Sequence, residues 1–512
     1  MKKAVLSGLG LWIGIGITFI VSFQVLLPTP ALASDTTVKL SLSQALGIAL
    51  EHNEDIQESF RRIPVAEASV MTAKGQYDLN TFATARYGRF NSLSTSDYGP
   101  TELTNAARSY GRLDTGLRQR VPTGGTLSAY YTYSNERRIG AFGQGRNFDK
   151  NYVTLEFAQS LLNGIGDKEV RGAIESAMLA VKDSEEGRSM VVSQVSLEVV
   201  RAYWILDMDQ NNLIVSREIL EMAKEVLRRE EVRLAQGISQ GVDVDRALMA
   251  VKQREYTVLQ YERDAAVAQE RLALLLNYPN YSNRIKFVPV TPLKKVVAKL
   301  TDEQTAFNLA MQNRYELKQL AILLKQLGIE YDVNTNKLLP VLDVNVGVTT
   351  SHGNDYLRSG ENFKDTDEQG SWFAGVTVTF PLQNREARGN VRKTEQMIRI
   401  ANDRIHKMGR NVQTEVRETL HNLVLARDGI AVAQKAYESA QQTVRGELKR
   451  FEMGGVNNRD LLASHDSLGK EKINYHMAVV NYNISVAEYN YACATLMDKY
   501  LIRVSKDKAW IQ

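Results

Sequence analysis

A single cysteine, Cys493, rules out an intrachain disulfide framework and any multi-cysteine metal site. Ten prolines in 512 residues are few, and they are expected between the periodic segments rather than inside them. A net charge of +4, with no basic stripe carrying interleaved aromatics, gives no footing for a nucleic-acid partner. The six histidines (His52, His352, His406, His421, His465 and His476) form no pair at metal-ligand spacing on a helix face, so no metal or cofactor is expected. No P-loop and no nucleophile elbow occurs, and the run GLGLWIGIG does not follow a strand. Scattered carboxylates on charged helix faces are read as solvated, so no enzymatic activity is expected.

Beyond the first thirty residues no apolar stretch is long enough for a spanning helix. The first thirty read as an export signal. Lys2 and Lys3 precede an apolar run over 4–27, Pro28 and Pro30 follow, and Ala31-Leu32-Ala33 supplies the small-residue pattern for cleavage after Ala33. An uncleaved anchor is the alternative for so long a run. With no cysteine near the cleavage site, lipid attachment there is excluded.

What is present is long helical patterning. Residues 40–74 place Leu42, Ala45, Leu46, Ala49 and Leu50 on one face. Residues 167–236 form a proline-free run of roughly 70 residues, on the order of 100 Å as a helix. Its Ile174, Ala177, Val181, Val191, Val195, Ala202 and Ile205 recur at the three-and-four spacing of a packed seam. A helix over about 243–277 follows, then a connector with Pro279, Pro289 and Pro292. Between the first two helical stretches, residues 79–162 change to period two. Leu127, Ala129, Tyr131 and Tyr133 alternate with polar neighbours, as do Val153, Leu155 and Phe157, which predicts strands. The polar, glycine-rich run 140–151 is expected as an exposed loop.

The chain then repeats itself. LSQALGIALEHNEDI (42–56) aligns with EQTAFNLAMQNRYEL (303–317) at a constant offset. A second strand region spans about 338–382, where Asn345, Thr349, Thr377 and Thr379 lie on polar faces opposite valines and aromatics. A second proline-free run, about 385–453, carries Val412, Val416, Leu420 and Leu423, and a last helix covers about 460–500. The expected units are therefore 1–33 signal, 34–300 first repeat, 301–500 second repeat and 501–512 tail.

Each repeat contains a bend, RLAQGISQGVDV (233–244) and RFEMGGVNNRDLL (450–462). In both, Arg precedes Gly by four residues and Asp follows that Gly by six: Arg233, Gly237, Asp243 and Arg450, Gly454, Asp460. Glycine ends one helix through a positive backbone angle, and Asp is expected to start the next. Gly241 and Gly455 complete the two turns. Short helices stacked end to end against a single long one would give a uniform wall, with the strands at the end opposite the bends. Strands from one chain leave open sheet edges, which a bilayer does not tolerate, so several chains are needed. The fold class is mainly α, internally duplicated, with a membrane β region.

These segments resemble the TolC-like outer-membrane efflux and secretion channels over nearly all of the mature sequence. The resemblance rests on LSLSQALGIALEHNEDI, on its copy ending QNRYEL with KLLPVLDVNVGV after it, on SWFAGVTVTFPLQNREARGNV, and on the two bends. It implies a homotrimer whose strands share one barrel in outer-membrane lipid, while the helices form a tunnel across the periplasm. It implies a passive duct of a tripartite efflux pump or type I secretion system, partnered by a periplasmic adaptor and an inner-membrane transporter. Asp243, Asp460 and Arg459 would then line the tunnel entrance, and Gly237, Gly241, Gly454 and Gly455 would shape the bends where the adaptor docks. Departures occur: the family's entrance Arg position is Val456, and its second acidic position is Ala463. The first strand region also exceeds the second by roughly forty residues, including GLRQRVPTGGTLSAYYTYSNER. That excess is expected as an added hairpin or an extracellular flap. The alternative reading is a non-conducting periplasm-spanning structural or surface-adhesion protein.

Overall fold

The computed structural model describes residues 36–95, 103–139, 145–279, 281, 285–292, 302–357, 362–453 and 458–512. Ala33, Gly454 and Gly455 lie outside the described residues.

Two helices of 68 residues, α3 (Lys168–Ala235) and α7 (Arg385–Glu452), set the length of the molecule. At 1.5 Å per residue each is about 100 Å long. Shorter helices stack beside them. The first set is α1 (Leu42–His52) and α2 (Glu54–Lys74) before the strands, with α4 (Gly241–Leu276) after the bend. The second set is α5 (Glu303–Asn313), α6 (Tyr315–Asn336) and α8 (Asn458–Ala492). Towards the strands the packing order is α2-α3-α6-α7; towards the bends α4 lies on α3, and α8 lies between α3 and α7. Four helical columns thus run side by side.

The stretch 40–74 is two helices, not one. Asn53 ends α1, and its side chain accepts from the amides of Asp55 and Ile56 to start α2, while its Nδ2 donates to the Leu275 carbonyl. Apolar periodicity runs through this break, which is why the sequence pattern hides it. In the second copy Arg314 stands at the corresponding place, between α5 and α6. Pro64 lies inside α2, against the expectation that prolines fall only between helices.

The largest core girdles the middle of the columns. Leu42, Ala45, Leu46, Ala49 and Leu50 of α1 are all buried in it, with Tyr203, Leu206 and Leu272. β1 (Thr36–Leu40) pairs in parallel with β6 (Ile285–Pro289). The Tyr203 hydroxyl donates to the Leu40 carbonyl and accepts from the amides of Val290 and Thr291, fixing this pair on α3. A second core joins α5, α7 and α8 through Ala306, Ala310, Val412, Val416, Leu423 and Tyr482.

The remaining long strands form one antiparallel sheet. They are β2 (Asn80–Thr95), β3 (Leu103–Arg120), β4 (Gly125–Ile139), β5 (Gly145–Ser160), β7 (Val341–Leu357) and β8 (Asn362–Thr379), in the order β2-β3-β4-β5-β7-β8. Strand β5 therefore takes in residues 145–151, which the sequence had suggested as loop; the glycine-rich composition there does not prevent pairing with β4 and β7.

Candidate functional site

Two features face opposite ends of the columns: a two-faced sheet and a pair of bends. The register decides which residues share each face of the sheet. Even-numbered positions of β2 to β5 pair with one another and with odd positions of β7 and β8. That face carries Arg86, Arg108, Arg112, Asp114, Arg118, Thr132, Thr154, Asn345, Thr349 and Thr377. It is knitted by polar contacts: Arg112 Nε donates to Asp114 at 2.8 Å, Thr132 donates to Asp114 at 2.5 Å, and the Thr154 and Thr349 hydroxyls meet at 3.1 Å.

The opposite face carries Leu113, Leu117, Leu127, Tyr131, Val153, Leu155, Val346, Val348, Trp372, Val376 and Val378, all exposed. Trp372 is 79% exposed, and none of the described residues covers it. An apolar face open over five strands, backed by a polar face, is the pattern of a barrel wall between lipid and water. Tyr131 and Tyr133 donate to Asn151 and Asp149, as aromatic residues do at the edge of such a band. Among the described residues no helix is long and apolar enough to cross a membrane, and no group of side chains has the makings of a metal site.

At the other end, α3 terminates through Gly237, whose φ of +73° lets the amides of Ile238 and Ser239 turn back to the Arg233 carbonyl. A Cβ at Gly237 would meet nothing, so the glycine is needed for its backbone angle alone. Gly241 has neither a positive φ nor a close neighbour; nothing in the structure demands glycine there. Below the turn, Glu230 is buried and accepts from Ser239 at 2.8 Å.

Asp243 lies in the first turn of α4 rather than at its cap, which is Gln240, and sits 3.5 Å from Arg246. A carboxylate there is favoured by the helix dipole, not by capping. Asp460 likewise lies in the first turn of α8, next to Arg459, and both are exposed.

Contacts invisible in the sequence tie the two bends together. Arg254 of α4 grips both oxygens of Asp466 of α8, its Nε at 3.1 Å from Oδ1, and Leu462 packs on Leu220, Ala223, Val251 and Val258. The starts of α4 and α8 therefore lie near one another, and Asp243 and Asp460 belong to one end of the molecule. Ile238, Val242, Met249 and Met453 are exposed apolar side chains around it. Alternation or glycine counting could not have found them, because isolated apolar residues at a turn carry no period.

The outer membrane efflux protein family model matches residues 45–278 and 306–488, which takes in both repeats. Solved structures share the fold. The CmeC outer membrane channel of Campylobacter jejuni superposes with a TM-score of 0.64 at 16% identity, over 89% of this chain and 86% of that one. The outer membrane protein VceC of Vibrio cholerae gives 0.62 at 14% identity, over 88% and 95%. The MtrE outer membrane channel of Neisseria gonorrhoeae gives 0.62 at 17% identity, over 89% of each chain. No curated protein matches by sequence. With a family model spanning both halves, an exposed apolar strand face at one end and paired helices at the other, the chain belongs to the outer membrane efflux protein family.

Proposed function

We propose that the protein is the passive exit duct of a tripartite efflux pump or type I secretion system, assembled as a homotrimer. The observation that carries this reading is the combination of a sheet with one open apolar face and helical columns about 100 Å long. The sheet stands in the outer membrane and the columns extend through the periplasm, so that three copies enclose a continuous passage. No side-chain constellation for chemistry is needed, because the work lies in the shape of the wall.

The bend end is the entrance in this reading. Asp243 and Asp460 from each copy ring the mouth with carboxylates, which favour cations there, and Arg459 stands ready to pair between neighbouring hairpins. Ile238, Val242 and Met453, with the turns at Gly237, Gly241, Gly454 and Gly455, offer the hairpin tips to a periplasmic adaptor, which couples the duct to an inner-membrane transporter.

Planar-bilayer recording of the purified protein tests this. Cation-selective conductance is expected, and Asp243→Ala with Asp460→Ala should lower the selectivity. Silence from both the native protein and the double variant would overturn the duct and leave a non-conducting spacer.

A further inference from the structure

The strands added in the first half raise a question of girth. The second repeat supplies two long strands, β7 and β8, while the first supplies four. The extra pair, β3 and β4, lies inside the sheet between β2 and β5, not on its outside. Its turn is locked into the joint between sheet and helices. The Gly166 amide donates to the Thr123 carbonyl at 2.8 Å, Gln159 donates to the same carbonyl, and Arg120 pairs with the buried Asp167 at 2.7 Å just ahead of α3. Gly124, at φ +90°, sits where a Cβ would collide with the Gly164 carbonyl. A hairpin anchored at its turn and paired along both sides is a structural part of the wall, not a flap.

We propose that the assembled barrel has six strands from each of three copies, eighteen in all, closed by β8 of one copy pairing antiparallel with β2 of the next. This rests on the trimeric duct proposed above. Within one chain β2 and β8 are the edges of the sheet, and about half the backbone groups of each point outward without a partner strand. In hydrocarbon such edges must be paired. An even number of alternating strands per copy leaves β2 and β8 running in opposite directions, so every junction is antiparallel and the face pattern continues across it.

The register supplies an independent measure. Both β2 and β8 meet the helices at the same end, at Asn80 and Thr379. The pairing line from Asn80 crosses Arg118, Ser128, Glu156 and Gly347 and reaches β8 at Phe373, six residues short of Thr379. That offset is about 20 Å along the strand, over five strand spacings that together make about 24 Å. The strands therefore lean by roughly 40°, within the range of closed membrane barrels.

At this tilt eighteen strands give a circumference of about 110 Å. Four helical columns per copy, twelve in all at about 9 Å spacing, give roughly the same. Twelve strands, as would remain without β3 and β4, would give only about 75 Å. The added hairpin therefore brings the barrel to the width of the tunnel beneath it, and passage is restricted at the bends, not in the membrane.

Disulfide trapping in outer membranes tests the closure. In a Cys493→Ala background, Thr84→Cys of β2 is combined singly with Ser371→Cys, Phe373→Cys, Gly375→Cys or Thr377→Cys of β8, all on the polar face. A parallel set combines Thr84→Cys with Tyr152→Cys, Thr154→Cys or Glu156→Cys of β5, three strands away and too far to bridge while β3 and β4 lie between. Copper-phenanthroline oxidation is expected to give covalent dimers and trimers from at least one β2–β8 pair, and no β2–β5 link. A β2–β5 link within one chain, or no β2–β8 link in protein that a lysine-reactive reagent fixes as trimers, overturns the eighteen-stranded barrel and leaves the trimeric duct standing. If the lysine reagent yields no trimer and no pair links, both readings fall.

Discussion

Arg314 offers the sharpest test of how the second repeat is held. Its side chain is 7% exposed and stands where α5 meets α6. The guanidinium donates to Glu316 at 2.9 and 3.1 Å and to Glu415 of α7 at 3.1 Å, reaches the Ala492 carbonyl at the end of α8 at 3.4 Å, and lies over the Tyr491 ring. One side chain thus joins four helices. Burial pulls its pKa down, but Glu415 and Glu316 outweigh that and hold it above its ordinary value. A cation stabilised in this way stays charged over the whole working pH range. Arg314→Met keeps most of the volume and removes the charge. Breaking a buried pair by deleting one partner costs about 3–5 kcal/mol. Glu415 is about a third exposed, and water screens what remains, so about 3 kcal/mol is the expectation here.

In the variant Glu316 and Glu415 lose their common cation. Unfolding of detergent-solubilised protein at fixed urea, followed by far-ultraviolet circular dichroism, reads this as a rate, which suits a protein that does not refold readily. Acceleration on the order of a hundredfold is expected at pH 8 if the cluster opens before the barrier. Adding Glu415→Gln should recover a substantial part of it, since one of the two stranded charges is then gone. A penalty below about 1 kcal/mol, untouched by Glu415→Gln, would refute the argument.

Two further perturbations follow from local geometry. Gly237→Ala should destabilise the first hairpin by about 1–2 kcal/mol because of its left-handed backbone angle, while Gly241→Ala should be neutral or slightly stabilising; equal urea sensitivity of the two variants would contradict this. Asp209 of α3 is pushed up to about 6 by burial and by Asp264, so the folded state holds its proton more tightly than the unfolded chain does. Stability from this group is present below about pH 4 and is lost as pH rises to about 6. Asp209→Asn should therefore stabilise at pH 8 by roughly 1–2 kcal/mol, discounted for partial exposure, and give no gain at pH 4; a gain of the same size at both would remove the titration from the explanation.

The duplicated plan was legible because both of its signals are periodic. Val412, Val416 and Leu423 recur at helical spacing and are buried together, and Val344, Val346 and Val348 alternate and share one face. Where periodicity is silent, so was the sequence. The breaks at Asn53 and Arg314 preserve the apolar spacing on both sides, and only hydrogen bonds mark them. In β3, Leu113 and Leu117 are separated by Asp114, Thr115 and Gly116, too sparse a pattern to place the strand, although pairing with β2 and β4 leaves no other register. Arg254 with Asp466, and Arg314 with Glu415, are far apart in sequence and meet only because α8 and α7 pack where they do. The offset of Asp243 and Asp460 from glycine locates them beside the bends but cannot distinguish a cap from a first-turn residue.

The same alternation explains how so polar a chain can build a membrane wall. Its mean hydropathy is −0.28, and Trp372, Val376 and Val378 are interleaved with Phe373, Gly375 and Thr377, so averaging along the strand conceals the apolar face. A run of some twenty apolar residues would behave as a membrane-spanning helix. Strands do not present their apolar face until they pair, so the lipid-facing surface exists only in the folded sheet. In the proposed trimer folding and membrane insertion are then coupled, and the open edges of β2 and β8 make assembly part of the same step. A single chain cannot cover its own edges, and an isolated copy in lipid would leave two rows of backbone groups without partners.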